Sequence, residues 1–143
     1  MKFQPSQCSI LIAENRLDTC ESCGFYLRKL GFQVHTCDVK LKAIYTALEI
    51  HRPNALMIRG TTSALDILKL ADEMRDRNIL LIPMMPQKNL YIESLLKKRG
   101  AICMQLMDVM PAYFPKQIIQ VMEYDQKRRL QAIGALPDGE SSC

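Results

Sequence analysis

The chain has 143 residues, 48% hydrophobic and 24% charged, which suits one domain with an ordinary core and excludes a disordered or collagen-like chain. A formal net charge of +4, spread along the chain without interleaved aromatic residues, does not indicate a nucleic-acid surface. No apolar run approaches the ~18 residues of a membrane span, and the N-terminus has no separate apolar segment of the secretory kind, so a cytoplasmic protein is expected. Six cysteines, Cys8, Cys20, Cys23, Cys37, Cys103 and Cys143, are present. Five lie in or beside apolar segments rather than in Gly-rich loops, which points to reduced thiols. The basic clusters Lys97-Lys98-Arg99 and Lys127-Arg128-Arg129 fit helix ends, where cations complement the macrodipole.

In chain order, Ser9-Ile10-Leu11-Ile12-Ala13 reads as a buried first strand that breaks at Glu14-Asn15. A helix from about Leu17 to Leu30 follows, with Thr19, Cys23, Tyr26, Leu27 and Leu30 on its inward stripe and Gly31 as its stop. Phe32 to Cys37 alternates as a second strand, and Lys42 to His51 makes the second helix. After Pro53, the run Asn54-Ala55-Leu56-Met57-Ile58 has no polar alternation and ends in Arg59. That pattern suits a central strand covered on both faces, with Arg59 at its carboxyl end, where open α/β sheets place their crevice.

Ser63 is a candidate N-cap for a third helix to about Arg75, with Asp66 in its first turn. Ile79 to Ile82 is a fourth strand, which Pro83 closes. Leu90 to Lys98 forms the fourth helix, Ala101 to Leu106 the last strand, and Lys116 to Leu130 the final helix. Five alternations of strand and helix predict an α/β fold, a doubly wound five-stranded parallel sheet of (βα)5, flavodoxin-like type, over residues 1–130. Residues 131–143, with Gly134, Pro137 and Gly139, are expected to be a disordered tail.

Three landmarks occur in order: Ile10-Leu11-Ile12-Ala13-Glu14-Asn15, then Leu27-x-x-Leu30-Gly31-Phe32-x-Val34, then Arg52-Pro53-Asn54-Ala55-Leu56-Met57-Ile58, with Gly100-Ala101 before the last strand. Over about Cys8 to Arg129 the chain resembles the receiver (CheY-like) domain of bacterial response regulators. The resemblance implies sites for a nucleophilic aspartate, an acidic pair for magnesium, a hydroxyl and a lysine. By position, the nucleophile falls on Arg59 and the acidic pair on Glu14 and Asn15. The hydroxyl falls on Pro83 or, with one residue of slack, Met84; the lysine falls near Met107, which is followed by Asp108 where the family has a proline. The family's loop after the nucleophile is shortened to Gly60-Thr61-Thr62. A guanidinium cannot attack phosphorus, and a single carboxylate is thin for a hard cation. The resemblance therefore implies a phosphorylation-independent pseudo-receiver of two-component signalling, without enzymatic activity or cofactor.

Three readings of Arg59 follow. It pairs with Glu14, with Asp108 as a further partner, in place of the metal; or it points into solvent; or, with Thr61 and Thr62, it binds an anion or nucleotide. Cys20-Glu21-Ser22-Cys23 has the spacing of a redox pair or half a zinc site, with His35 and Cys37 as further ligands by type, against Cys23 as a small buried hydrophobe. Met84, Met85, Met107 and Met110 gather around the ends of strands four and five and form a candidate interface, since methionine-rich surfaces adapt to partners; Met104 reads as core. In receivers, the face of helix four, strand five and helix five is the usual output and dimer surface. The expected partner on that face is thus a protein, with a second copy of the chain as one candidate. His35 and His51 show no partner in the sequence. The preferred function is an adaptor or regulatory module acting through protein contacts, against a thiol or metal sensor at Cys20 and Cys23, or a small-ligand sensor at the Arg59 crevice.

Overall fold

The computed structural model describes residues 3–59, 66–105 and 114–134, and the side chains of residues 17–20 lie outside that description. After a 3-10 turn at Pro5–Gln7, the elements are β1 (Ser9–Ala13), α1 (Leu17–Lys29), β2 (Gln33–Cys37), α2 (Leu41–His51) and β3 (Ala55–Arg59). They continue with α3 (Ile67–Asp76), β4 (Leu80–Met85), α4 (Leu90–Lys98), β5 (Met104–Gln105) and α5 (Phe114–Ala132). The five strands pair in parallel in the order β2-β1-β3-β4-β5, the flavodoxin-like doubly wound sheet.

The uniform apolarity of β1, β3 and β4 follows from this layering. Alternate residues of a strand point to opposite faces, and here each face meets helices. Ile10, Ile12, Met57, Ile82 and Met84 pack with Cys23 and Leu27 of α1 and with Phe114, Ile118 and Met122 of α5. Leu11, Leu56, Ile58 and Leu81 pack with Ile44 and Leu48 of α2, Leu70 and Met74 of α3, and Leu96 of α4. Each such side chain contributes about 1.5–3 kcal/mol of burial. No described helix is long and apolar enough to cross a membrane.

Helix ends are closed locally. Gly31, at φ 104°, donates to Arg28 O while Phe32 donates to Leu27 O, a Schellman close that turns the chain straight into β2. Asn78, at φ 59°, ends α3 in the same way, donating to Arg75 O while Ile79 donates to Met74 O. α4 opens on a capping box: Asn89 Oδ1 accepts from Ile92 N, and Glu93 Oε2 accepts from Asn89 N.

Three expectations need correction. Asp66, expected in the first turn of the third helix, is itself the N-cap, its Oδ1 accepting from the amides of Leu68 and Lys69; Ser63 lies outside the described residues. Pro83 does not close β4, which runs through it to Met85, every residue buried. Ile102 N donates to Leu81 O, so the next bond of a parallel ladder would run from the nitrogen of residue 83 to Ile102 O. Proline has no N–H to give. The described β4–β5 ladder accordingly starts only at Met84–Met104 and continues at Met85–Gln105, so β5 begins at residue 104 rather than at the expected 101; Leu106 lies outside the described residues. Finally, α5 runs from Phe114 to Ala132, two residues beyond the expected helix at each end; residues 135–143 lie outside the described ones.

Candidate functional site

Arg59 ends β3, the strand flanked by β1 and β4, and stands beside Met84 in the parallel register. Glu14 follows directly after β1, where its N–H donates to Cys37 O and ties the turn to β2. The structure brings the two side chains together: Arg59 Nη2 lies 3.4 Å from Glu14 Oε2, with the side chains 22% and 8% exposed. Glu14 Oε1 accepts from Arg16 N at 3.0 Å, so both carboxylate oxygens face positive or donor groups. Arg59 Nη2 is itself buried and has no hydrogen-bond partner among the described residues. The contact with Glu14 is thus a charge contact rather than a directed hydrogen bond.

Asn15 is used structurally. Its Oδ1 accepts from Val39 N at 2.9 Å, fastening the turn after β1 to the turn after β2. Pro83 and Met84 are buried within β4, and neither carries a hydroxyl. Met107 and Asp108, like Thr61 and Thr62, lie outside the described residues. Among the described residues at these positions, what remains is one carboxylate already facing a guanidinium, with an amide committed to a loop. Magnesium prefers several free oxygen ligands, and the described residues do not fit it; no group of three or more His, Cys, Asp or Glu among them gathers to hold any metal. An arginine at the strand end offers no nucleophile, but its charge can hold Glu14 or attract an anion.

The methionine interface requires correction. Met84 and Met85 are 5% and 1% exposed, because β4 is an inner strand with a neighbour on each side and helices over both faces; they cannot present a surface to a partner. Met104 is buried as well, while Met107 and Met110 lie outside the described residues. The large hydrophobic side chains exposed on the described parts of α4 and α5 are instead Leu90 and Tyr91, at the start of α4, and Tyr124 of α5. Between α5 and β5 runs a groove of about 410 Å³ lined by Ile102, Cys103, Gln120, Val121 and Tyr124. A signal for Leu90 and Tyr91 was present in the sequence: with Ile92 and Leu96 facing inward at i and i+4, the two residues before them must face out.

Cys23 is buried in the core beside Leu27, and the Cys20 side chain lies outside the described residues. Burial pushes the Cys103 thiol up to about 11, with Glu93 adding to the shift, and burial followed by the Asp125 charge raises Cys8; neither is an activated thiolate. His35 of β2 and His51 at the end of α2 stack face to face, ring centroids 3.7 Å apart and 11° from parallel. Burial, His51 and Arg28 hold the His35 imidazole below its ordinary value. This pairing joins residues far apart in the chain and left no local signal.

Comparison with known proteins gives a fold and no closer relative. No protein-family profile matches the sequence, and no curated protein does. Solved receiver domains match the structure throughout. The signal receiver domain of a DNA-binding response regulator from Colwellia psychrerythraea 34H is 18% identical, covers 82% of this chain and 99% of its own, and superposes with a TM-score of 0.69. A response regulator from Thermotoga maritima is 14% identical, with 81% and 98% covered and a TM-score of 0.71. The beryllofluoride-activated NtrC4 receiver domain dimer is 11% identical, with 79% and 93% covered and a TM-score of 0.67. The chain has the receiver fold.

Proposed function

We propose that the protein is a receiver-like signalling module that works without phosphorylation, by contact with a protein partner through its α4–β5–α5 face. The observation that carries this reading is Arg59 at the carboxyl end of the central strand, 3.4 Å from Glu14. A fixed positive charge there repels a metal cation, and with no carboxylate at that position there is no nucleophile from which an acyl phosphate could form. The exposed Leu90, Tyr91 and Tyr124 supply aromatic and apolar anchors of the kind that dominate interfaces. A dimer among the receiver structures that match this fold supports a second copy of the chain as one partner.

Incubation of the full chain with acetyl phosphate and magnesium, followed by intact mass measurement, tests the first half: no phosphoryl adduct is expected, and a stoichiometric one would overturn it. Sedimentation of the wild type against Tyr91→Asp and Tyr124→Asp tests the second; a self-associating chain turned monomeric by either substitution supports this face, and association unaffected by both refutes it. The small-ligand reading keeps one supporting observation, the buried Nη2 of Arg59 without a hydrogen-bond partner among the described residues.

A further inference from the structure

The opposite end of the sheet holds a second cleft. A cavity of about 150 Å³ lies between the carboxyl ends of α3 and α4 and the last turns of α5, lined by Arg75, Arg99, Arg128 and Arg129 among others. A larger one, about 390 Å³, lies between α5 and the segment before β1, lined by Gln4, Gln7, Asn54, Gln126 and Phe3. Both are lined by Asn78, Asp125 and Arg129, so they form one cleft with two lobes. The larger lobe alone falls within the usual size of small-molecule pockets, about 300–1,000 Å³.

The lobes differ in chemistry. In the smaller, four guanidinia are opposed by two carboxylates: Asp125 takes Arg128 and Arg129, and Asp72 takes Arg75 and Arg99. Positive charge is therefore in excess. Two carbonyls at this end that would repel an anion are already covered, since Arg128 Nη2 donates to Gly100 O, just past α4, and Arg99 Nη1 to Leu95 O within α4. Arg99 Nε is buried, 3.5 Å from Asp72 Oδ2 and with no hydrogen-bond partner among the described residues. In the larger lobe, carboxamides from four segments surround the buried Phe3 and Met122. Carboxamides both donate and accept, the pairing a heterocycle or sugar edge requires.

We propose that this cleft binds a small phosphate-bearing molecule, its phosphate among Arg75, Arg99 and Arg128 and its hydrogen-bonding body in the carboxamide lobe. Guanidinium forks match phosphate oxygens two at a time, and the excess charge over Asp72 and Asp125 is what a phosphomonoester would neutralise. The site is at the amino end of the strands, away from Arg59, and does not depend on the signalling reading.

Titration of the full chain with inorganic phosphate, AMP and adenosine, followed by calorimetry and amide chemical shifts, tests it. AMP is expected to bind at least about tenfold tighter than phosphate, and adenosine far more weakly than either. Arg75→Glu, at an exposed side chain, should lower AMP affinity at least about tenfold with the melting temperature unchanged; Gln126→Ala should weaken AMP and leave phosphate as it was. Saturable binding of neither anion at about 10 mM, equal affinity for phosphate and AMP, or AMP binding that ignores Arg75→Glu would each overturn the proposal. So would shifts confined to Glu14 and Arg59.

Discussion

At the carboxyl end of the sheet, Arg59 and Glu14 meet at 3.4 Å without a hydrogen bond. At the amino end, Asp125 accepts hydrogen bonds from Arg128 Nε at 3.0 Å and Arg129 Nε at 2.7 Å, with Arg128 Nη2 in ion-pair contact at 2.9 Å. The first is an attraction between two charges with donors to spare; the second is a short, directed clamp of the charge-assisted kind. Both carboxylates are 8% exposed, so geometry rather than burial separates them. The comparison teaches that the end where this fold usually does chemistry is the more loosely held here, while rigid electrostatics have been spent on the other end, where three helices meet.

Asp125→Ala should therefore cost the most, about 3 kcal/mol, because it leaves two guanidinia crowded and unopposed; urea denaturation measures it. Arg59→Ala should cost about 1 kcal/mol, since Glu14 keeps its bond from Arg16 N and Arg59 is partly wet. Equal losses in the two variants would break the comparison. The smallest effect is expected from acid and belongs to neither end. His35 is held below its ordinary value of 6.5 by burial, His51 and Arg28, so the unfolded chain binds the proton more readily. The stability this contributes is present above about pH 6.5 and lost as pH falls through the lower folded value. His35→Gln should flatten that part of the stability profile between pH 7 and 5.5; an unchanged slope would assign the acid sensitivity to one of the two ends instead.

Much of the fold was legible because its signals are local or periodic. β1 and α4 run as expected, Ser9–Ala13 and Leu90–Lys98, the one set by an apolar run between polar breaks and the other ended by Arg99-Gly100. β3 was legible through unbroken apolarity, which only a strand covered on both faces tolerates. Pro83 was misread because a sequence shows that a donor is missing but not which neighbour it would have faced. Met84 and Met85 were misread because a strand continuing past proline was not allowed for. The positions of Glu14 and Arg59 at strand ends were readable from the chain, whereas the His35–His51 stack and the arginine lobe were not. Arg75, Arg99 and Arg128 come from three helices, and only the sheet order brings their ends together. The helix-end reading of the basic clusters was half the truth: Arg128 does cover a carbonyl, but that of Gly100 just past the end of α4 rather than one of its own helix.

Pro83 has a consequence for solubility. By delaying the start of the β4–β5 ladder to Met84–Met104, it keeps residues 101–103 out of the edge strand, and shortening an edge is one of the ways natural proteins guard against amyloid-like growth. The other margin, β2, keeps five paired residues and turns the hydrophilic Gln33 and Thr36 outward. Strand exchange between molecules, if crowding ever drives it, should begin at that side.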